Sequence, residues 1–341
     1  MKKMLLAVAC LAIVAAPSPF DPHSARLVDG DPILIESTAI PIPADYKSLV
    51  ALRPVVALRL TSKDVRFGGW SALEVKANGE IRLLSDRAFV LHGRFQQDSD
   101  GAVEGIEEAR IGVLRDHDSE AALRKRGDSE GLARLKNGRH VVSFELEPRL
   151  QFYDFDLLGE SALPTDAPRL AQVEKLSTNA ELEAVTVLTD GSILAGSERG
   201  FGGGDDAVLW RVPPDAKSGD AAIEPLTTIK LPENFNLTEL AAAPDGSIYA
   251  LFRSYLPILG ARAQVWRYAL IEENGITRAK GEKLAALQTP FPVDNYEGMA
   301  VVPAPDGGQR LYVISDDNYR AEQKTILLIF DVKRRAARST P

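Results

Sequence analysis

The sequence predicts an all-β protein, a β-propeller of five four-stranded blades. Five segments of the 341-residue chain share one pattern: an apolar stretch, a turn with Asn-Gly or Asp-Gly, and a second apolar stretch. The segments begin 53–59 residues apart, and four antiparallel strands per repeat of roughly 40–60 residues are typical of propeller blades. Asn-Gly or Asp-Gly between short apolar runs predicts a hairpin whose two turn residues both have positive φ.

The five repeats are defined by their first polar residue and by their turn. They begin at Ser71, Glu130, Glu183, Glu239 and Glu297. Their turns are Asn78-Gly79, Asn137-Gly138, Asp190-Gly191, Asp245-Gly246 and Asp306-Gly307. A third apolar run follows in each repeat, for example residues 208–212, and a fourth often follows it, for example residues 225–231.

The ring is predicted to close through a strand that precedes the first repeat. The fifth repeat has room for only three strands and a tail, and residues 55–61 read as a single strand with no partner nearby in sequence. This strand would complete the last blade and so remove two open sheet edges. Six blades are the alternative, if residues 25–54 add another.

The chain ends are expected to lie outside the propeller. Residues 1–19 resemble a signal peptide, because two lysines precede an apolar run from Met4 to Ala16 that is too short to span a membrane. The signal predicts a periplasmic or secreted protein, and lipid attachment at Cys10 is the less favoured alternative. We assign residues 20–54 to an N-terminal extension, 55–332 to the propeller and 333–341 to a basic tail.

Charge and cysteine content exclude several functions. The 40 Lys and Arg residues against 48 Asp and Glu give a net charge of −8, which argues against a nucleic-acid partner because phosphate contacts need basic surface. No run after the signal is long enough for a transmembrane segment. One cysteine excludes a disulfide within the chain. The oligomeric state is not predicted.

Two sets of polar residues are expected at one mouth of the central channel. The first strand of each blade lines the channel and the second runs back beside it, so the start of the first and the end of the second share a face. The first set consists of Ser71, Glu130, Glu183, Glu239 and Glu297. The second consists of Asp86, Arg87, Glu145, Glu198, Arg199, Arg253, Asp316 and Asp317.

This composition suggests a cation-assisted hydrolytic site. Carboxylates held close together raise one another's pKa or bind a cation, and oxygen-rich clusters suit Ca²⁺ or Mg²⁺. We expect Ca²⁺ as the cofactor, if any is bound, with Glu183, Glu239 and Glu297 as its ligands. The predicted substrate-binding residues are Ser71, Asp86, Glu130, Glu145 and Glu198.

The remaining residues of the two sets are assigned to charge stabilisation and proton transfer. Bidentate contacts from arginine would neutralise a phosphate or carboxylate, and the predicted arginines are Arg87, Arg199 and Arg253. Asp316 or Asp317 would act as the general base. The alternative is that these acids and arginines pair with one another and tie neighbouring blades together.

The repeats resemble a family of bacterial exported proteins described as esterase-like activity of phytase, or phytase-like domain proteins. The resemblance covers roughly residues 55–332 and rests on short motifs in a fixed order. These motifs are residues 67–73, 85–87, 130–133, 142–145, 182–185, 237–240, 296–300 and 314–319. Arg253 departs from the pattern, since an acidic residue is expected before the arginine and Phe252 stands there, and Ala72 and Ala184 replace expected glycines.

The resemblance implies a β-propeller and hydrolysis of ester or phosphate-ester bonds. Together with the acidic mouth, it leads us to expect an exported hydrolase that acts on a small phosphate or carboxylic ester. The alternative is a non-catalytic periplasmic propeller that binds a sugar, a peptide or a partner protein.

Overall fold

The computed structural model describes residues 30–99, 101–117, 127–177, 181–304 and 307–333. The predicted signal peptide and all but the first residue of the basic tail lie outside these ranges. Within them, the chain forms five antiparallel sheets arranged as the blades of a ring. The prediction of a five-bladed propeller is confirmed. None of the helices described is long and apolar enough to cross a membrane.

Blades 1 to 4 each take four strands from one repeat, in order from the channel outward, and blade 5 takes three strands from the last repeat. Three strands precede the first repeat: β1 (Asp31–Pro32), β2 (Glu36–Ala39) and β3 (Leu52–Thr61). Blade 1 contains β4 (Trp70–Val75), β5 (Glu80–Ser85), β6 (Phe89–Gln97) and β7 (Val103–Val113). Blade 2 contains β8 (Ser129–Arg134), β9 (His140–Phe144), β10 (Arg149–Tyr153) and β11 (Thr165–Asp166).

The last three blades follow the same plan. Blade 3 contains β12 (Leu182–Val187), β13 (Ile193–Ser197), β14 (Asp206–Val212) and β15 (Pro225–Lys230). Blade 4 contains β16 (Asn236–Ala242), β17 (Ile248–Leu256), β18 (Gly260–Glu273) and β19 (Ile276–Leu287). Blade 5 contains β20 (Asn295–Pro303), β21 (Gln309–Asp316) and β22 (Thr325–Val332). One short α-helix, α1 (Phe155–Leu158), follows β10.

The ring closes through β3, as predicted. β3 pairs antiparallel with β22 over its whole length, with Ala57 opposite Leu328 and Leu60 opposite Thr325. The rest of the described N-terminal extension adds a fifth strand to two blades, since β2 pairs with β3 and β1 pairs with β7. The six-blade alternative is therefore wrong, because residues 31–39 join the edges of blades 1 and 5 instead of forming a blade.

Closure makes β3 a part of the core, which gives a first prediction. Leu60 is 2% exposed in the apolar cluster between blades 5 and 1, so Leu60→Ala is expected to lower the free energy of unfolding by about 2–5 kcal/mol. Urea unfolding followed by tryptophan fluorescence measures it. Arg59→Ala, at the exposed neighbouring position of the same strand, is the matched control. Equal stability of the two variants would contradict a structural role for β3.

The predicted hairpin turns are present, with a different backbone geometry. In the first four repeats only the glycine of the turn has positive φ, from 83° at Gly246 to 93° at Gly191. The preceding Asn or Asp instead accepts a hydrogen bond from the backbone two residues on, as Asn78 does from Glu80. The expectation that both turn residues have positive φ is wrong, because these turns close over three residues with glycine at the left-handed position.

Every innermost strand carries one extra residue near its start. The pairing register shifts by one residue after Trp70, Ser129, Leu182, Leu237 and Tyr296. Such β-bulges bend the strand and redirect a side chain. They stand at the same end of all five blades, and this end of the channel carries the polar residues described next.

Candidate active site

One residue per blade, in or directly after the last part of the second strand, forms a ring at the channel mouth. These equivalent residues are Asp86, Glu145, Glu198, Arg253 and Asp316. Their equivalence follows from the strand register, because Ser85, Phe144, Ser197, Phe252 and Ser315 lie opposite the residue that precedes each bulge. All five line one cavity. Four acids and one arginine thus meet there, as the two sequence sets predicted.

The bulges supply a second, deeper layer. Glu130, Glu183 and Glu297 lie at or beside the bulges of blades 2, 3 and 5 and line the same cavity, although each is at least 92% buried. The cavity has a volume of about 390 Å³. Its lining consists of Asp86, Asp128, Glu130, Glu145, Glu183, Glu198, Asn236, Arg253, Glu297, Asp316 and Asn318.

The two remaining bulge residues join neighbouring blades. The Ser71 hydroxyl donates to the Ser129 carbonyl at 2.8 Å, and the Thr238 hydroxyl lies 3.4 Å from the Tyr296 carbonyl. Both side chains are buried, and Ser71 is not among the residues that line the cavity. The predicted substrate-binding role of Ser71 therefore has no geometric support, and its hydroxyl stabilises the contact between blades 1 and 2.

Glu239 lies one position after the bulge of its strand, whereas Glu130, Glu183 and Glu297 lie at the bulges of theirs. The bulge of blade 4 falls on Thr238, which leaves Glu239 paired with Leu251 at a position where other blades have Ala72, Ala184 or Gly298. Its carboxylate is buried, accepts from the Leu240 N–H at 2.8 Å, and does not line the cavity. The structure thus separates Glu239 from Glu183 and Glu297, with which it was predicted to bind a cation.

Three other predicted residues are held outside the cavity lining. The Arg87 guanidinium stacks on the Tyr319 ring, 3.9 Å from its centroid. Arg199 donates to Asp205 at 2.7 Å and to the Gly203 carbonyl at 3.2 Å. Asp317 accepts from the Gly69 N–H, the Tyr319 N–H and the Thr325 hydroxyl at 3.0–3.1 Å. Among the predicted arginines, Arg253 is the one that lines the cavity.

Sequence reasoning missed a polar set that stands two residues before the bulge position. It comprises Asp128, Glu181, Asn236 and Asn295, and it lies beside the second-strand ring, since Arg253 pairs with Asn236 and Asp316 with Asn295. Asp128 and Asn236 line the cavity. The signal was present, because four of the five repeats have an acid or amide at this position.

Two asparagines of this set bridge a guanidinium and a carboxylate. The Asn295 amide oxygen accepts from Arg253 Nη1 at 2.9 Å, and its nitrogen lies 2.8 Å from Glu297 Oε1 and 3.3 Å from Asp316 Oδ2. Asn236 accepts from Arg199 at 3.1 Å and donates to Glu198 at 2.6 Å. Arg253 also lies 3.3 Å from Glu297 and 3.5 Å from Glu198, so its charge is shared among several carboxylates.

Burial shifts the pKa values of the cavity carboxyls upward. Desolvation and then neighbouring carboxylates raise the pKa of Asp86 and Glu145 to about 7. Desolvation likewise raises the pKa of Glu297 to about 7, against the opposing charge of Arg253. The pKa values of Glu130, Glu183 and Asp316 are raised well above their ordinary values, again chiefly by burial. The lining therefore has a high affinity for protons or for a cation near neutral pH.

Blade 2 brings together carboxylates that fit a cation. Oxygen atoms of Asp128, Glu130 and Glu145 all lie within 4.8 Å of one another. No N–H group among the described residues donates a hydrogen bond to any of these three carboxylates, so their lone pairs face the cavity and each other. Hard divalent cations such as Ca²⁺ prefer oxygen ligands of this type. These residues fit the cation better than the predicted set of Glu183, Glu239 and Glu297.

A five-bladed propeller with an acidic cavity at one channel mouth is the class of protein that the fold and the site define. The chain belongs to the Phytase-like family, whose model, described as esterase-like activity of phytase, matches residues 65–319. The family resemblance found in the sequence is confirmed, and it places the chain among hydrolase-type propellers.

The solved structures to which this chain is similar share little sequence with it. A glucose dehydrogenase is 16% identical, with 87% of this chain and 80% of that chain covered and a TM-score of 0.36. A streptogramin B lyase is 10% identical, with 84% and 100% covered and a TM-score of 0.36. An α-L-arabinofuranosidase from Clostridium thermocellum is 12% identical, with 71% and 80% covered and a TM-score of 0.42. A search of curated proteins gave no match.

Proposed function

We propose that this protein is an exported hydrolase that cleaves a small phosphate ester in the acidic cavity, assisted by a divalent cation, with Ca²⁺ as the first choice. The observation that carries the proposal is the cavity lining, in which eight carboxylates surround Arg253. Family membership supports hydrolysis of an ester bond. A carboxylic ester remains the second substrate class, and the experiment below separates the two.

A cation is needed because the cavity would otherwise repel its substrate. A phosphate ester is an anion, and one guanidinium does not offset eight carboxylates that lie close together. Asp128, Glu130 and Glu145 would hold the cation, with Glu183 next to them, since its charge acts on Glu130. A bound divalent cation would polarise the phosphoryl oxygen and lower the pKa of a nearby water.

The side chains on the opposite wall then have separate roles. Arg253 binds and neutralises a phosphoryl oxygen, because guanidinium groups pair with such oxygens through two N–H donors. Glu297 takes a proton from the attacking water, since its pKa of about 7 suits a general base at neutral pH. Asn295 orients both groups through its hydrogen bonds to them. Asp316, one of the two bases predicted from the sequence, contacts the same amide and is the alternative base.

Turnover of two chromogenic esters tests the proposal. Chelator-treated protein is expected to cleave para-nitrophenyl phosphate only after Ca²⁺ is added, and Asp128→Asn is expected to lower kcat/KM by about 100-fold or more. Glu104→Gln, an exposed acid on β7, is the matched control and should behave as wild type. Cleavage of para-nitrophenyl acetate without Ca²⁺, with no cleavage of the phosphate, would assign the site to carboxylic esters.

The excess of carboxylates favours one non-catalytic alternative. A cavity with eight acids and one arginine suits a cationic ligand such as a basic peptide. This alternative predicts saturable binding of a short lysine peptide, loss of binding when Ca²⁺ is added, and no product from either ester. The hydrolase predicts the reverse for the esters.

A further inference from the structure

The hairpin between β17 and β18 exposes an apolar tip. Residues 255–259 read Tyr-Leu-Pro-Ile-Leu, and Tyr255 is 72%, Ile258 96% and Leu259 56% exposed. We call these three side chains the apolar tip. These exposed side chains contrast with Phe252 and Val265 of the same two strands, which are fully buried.

The apolar tip is a direct extension of the cavity wall. Arg253 and Tyr255 are two residues apart in one strand, so their side chains project from the same face of the sheet. Arg253 lines the cavity, and a strand rises about 3.3 Å per residue, so Tyr255 lies roughly 7 Å further out on the same side. An apolar group bonded to a phosphate at Arg253 would therefore meet Tyr255 first and then the other two side chains of the apolar tip.

The base of the hairpin is anchored on its other face. Ser254 is buried and accepts a hydrogen bond from Arg262 at 2.8 Å. The Arg262 guanidinium lies over the Phe235 ring, 5.0 Å from its centroid. These contacts tie both strands at the base of the hairpin to the loop before β16, so packing fixes where the hairpin leaves the cavity wall.

The hairpins that join the second and third strands of the other blades also stand at the mouth, and they differ in how much apolar surface they expose. In blades 2 and 3 they carry Leu146 and Phe201, which are 66% and 36% exposed. In blades 1 and 5 they carry Arg87 and Tyr319, which stack on each other. Exposed apolar side chains therefore stand over blades 2 to 4, on the side of the cavity that includes Arg253, and polar contacts close the other side.

We infer that the substrate is an amphiphilic ester, whose phosphate lies at Arg253 and whose alkyl or aryl group lies against the apolar tip. The inference rests on the proposed function and adds a substrate class to it. The occupant follows from continuity with the cavity: Arg253 of the lining and Tyr255 belong to the same strand and face, and Ile258 and Leu259 follow in the turn at the end of that strand. The cavity by itself recognises only the charged phosphate of such a ligand. The apolar tip would recognise its alkyl or aryl group.

Binding of phosphonates, which are not hydrolysed, tests this inference separately from turnover. In the presence of Ca²⁺, calorimetry is expected to show octylphosphonate, kept below its micelle concentration, binding about tenfold or more tightly than methylphosphonate, because burial of each CH₂ is favourable. The double variant Ile258→Ser and Leu259→Ser should reduce this advantage to about threefold or less, with methylphosphonate affinity unchanged. Ile276→Ser is the control, since Ile276 is 56% exposed on the same blade, at the start of β19 and opposite the far end of β18.

Three outcomes would overturn the inference. One is equal affinity of the wild type for the two phosphonates. Another is an octyl advantage that survives in the double variant or is lost equally in Ile276→Ser. The third is that the wild type binds phosphatidylglycerol vesicles, that the double variant does not, and that the two proteins bind the phosphonates with equal affinity. This outcome would assign the tip to a membrane surface. If neither phosphonate binds, the proposed function fails, and this inference fails with it.

Discussion

Chelator-treated protein is expected to lose thermal stability as the pH rises from about 5 to 8. The pKa values of Asp86, Glu145 and Glu297 are raised to about 7 in the fold, so between their ordinary values and 7 the folded state holds protons that the unfolded chain has released. Stability is therefore greatest at low pH and falls as the pH passes through 7. One carboxyl moved from 4.5 to about 7 contributes on the order of 3 kcal/mol over this range.

Calcium is expected to remove this loss, because a bound cation replaces the protons as the charge partner of the carboxylates. At about 100 times its Kd, the cation would stabilise the fold by about 2.7 kcal/mol. Differential scanning calorimetry at pH 5, 6.5 and 8, with chelator and with Ca²⁺, measures both effects.

The control is a variant that keeps the shape of the site and removes the titration. In Asp86→Asn with Glu145→Gln and Glu297→Gln, the profile in chelator should be flatter and the response to Ca²⁺ smaller. Comparison with wild type at each pH also cancels buried His140, whose lowered pKa acts in the opposite direction by reducing stability as the pH falls. A wild-type transition temperature that rises with pH in chelator would contradict the raised pKa values.

Replacement of Arg253 is expected to have the largest effect on activity. Among the described residues, its guanidinium is the one cation that lines the cavity, and it lies within 3.5 Å of Glu198, Glu297 and Asn295. Arg253→Met should lower kcat/KM for a phosphate ester by about 100- to 1000-fold, as expected when a charged donor to the transition state is removed. It should also lower stability by about 3–5 kcal/mol at neutral pH, because buried carboxylates lose their partner.

A conservative substitution separates charge from geometry. Arg253→Lys keeps the charge and should recover most of the stability, but it cannot make two parallel hydrogen bonds to a phosphate and should recover little activity. Arg278→Met removes a side chain that is 59% exposed and pairs with Glu273, and it should match wild type in both measurements. Full activity of Arg253→Met would contradict the proposed role of this residue.

The fold could be predicted from the sequence because it depends on a repeated local signal. Glycine at the hairpin turns and the alternation of apolar residues recur with nearly constant spacing, and each hairpin is a local structure. The closing strand, residues 52–61, could be identified for the opposite reason, since it has apolar character and no partner nearby in sequence. That β22 is its partner follows only from the fifth repeat, which has three strands and so leaves its blade without a fourth.

Only some of the residues predicted for the site line the cavity. The reason is that the position of a β-bulge, which shifts the strand register by one residue, cannot be read from the repeat spacing alone. Glu239 was aligned with Glu183 and Glu297, but the bulge of blade 4 falls on Thr238. Where a bulge forms depends on contacts between blades, such as the hydrogen bond from Thr238 to Tyr296. The position of Arg87 outside the cavity lining could not be predicted for a similar reason, since it stacks on Tyr319, a residue 232 positions away in the sequence.

Asp128 and Asn295 could have been found from the sequence. Both precede a glutamate by two residues, and residues two apart in a strand share a face. The prediction placed the cation between Glu183, Glu239 and Glu297 of blades 3 to 5, and it did not include the residues two positions before the glutamates. What the sequence could not supply is which carboxylates lie close enough to share a cation, because the closeness of Asp128, Glu130 and Glu145 depends on the bulge in the strand pair of blade 2.

The pairing of β3 with β22 also bears on how the chain folds. Residue 61 ends the first of these strands and residue 325 begins the second, so 263 residues separate the two partners. Four blades can complete their own sheets from contiguous segments, whereas the fifth has to recruit a strand made at the start of synthesis. Contacts of such long sequence separation form late and slowly, and until they form the chain carries two unpaired edges that other chains could join. We therefore expect ring closure to be the slowest step of folding, and the intermediate before it to be the species most prone to aggregation.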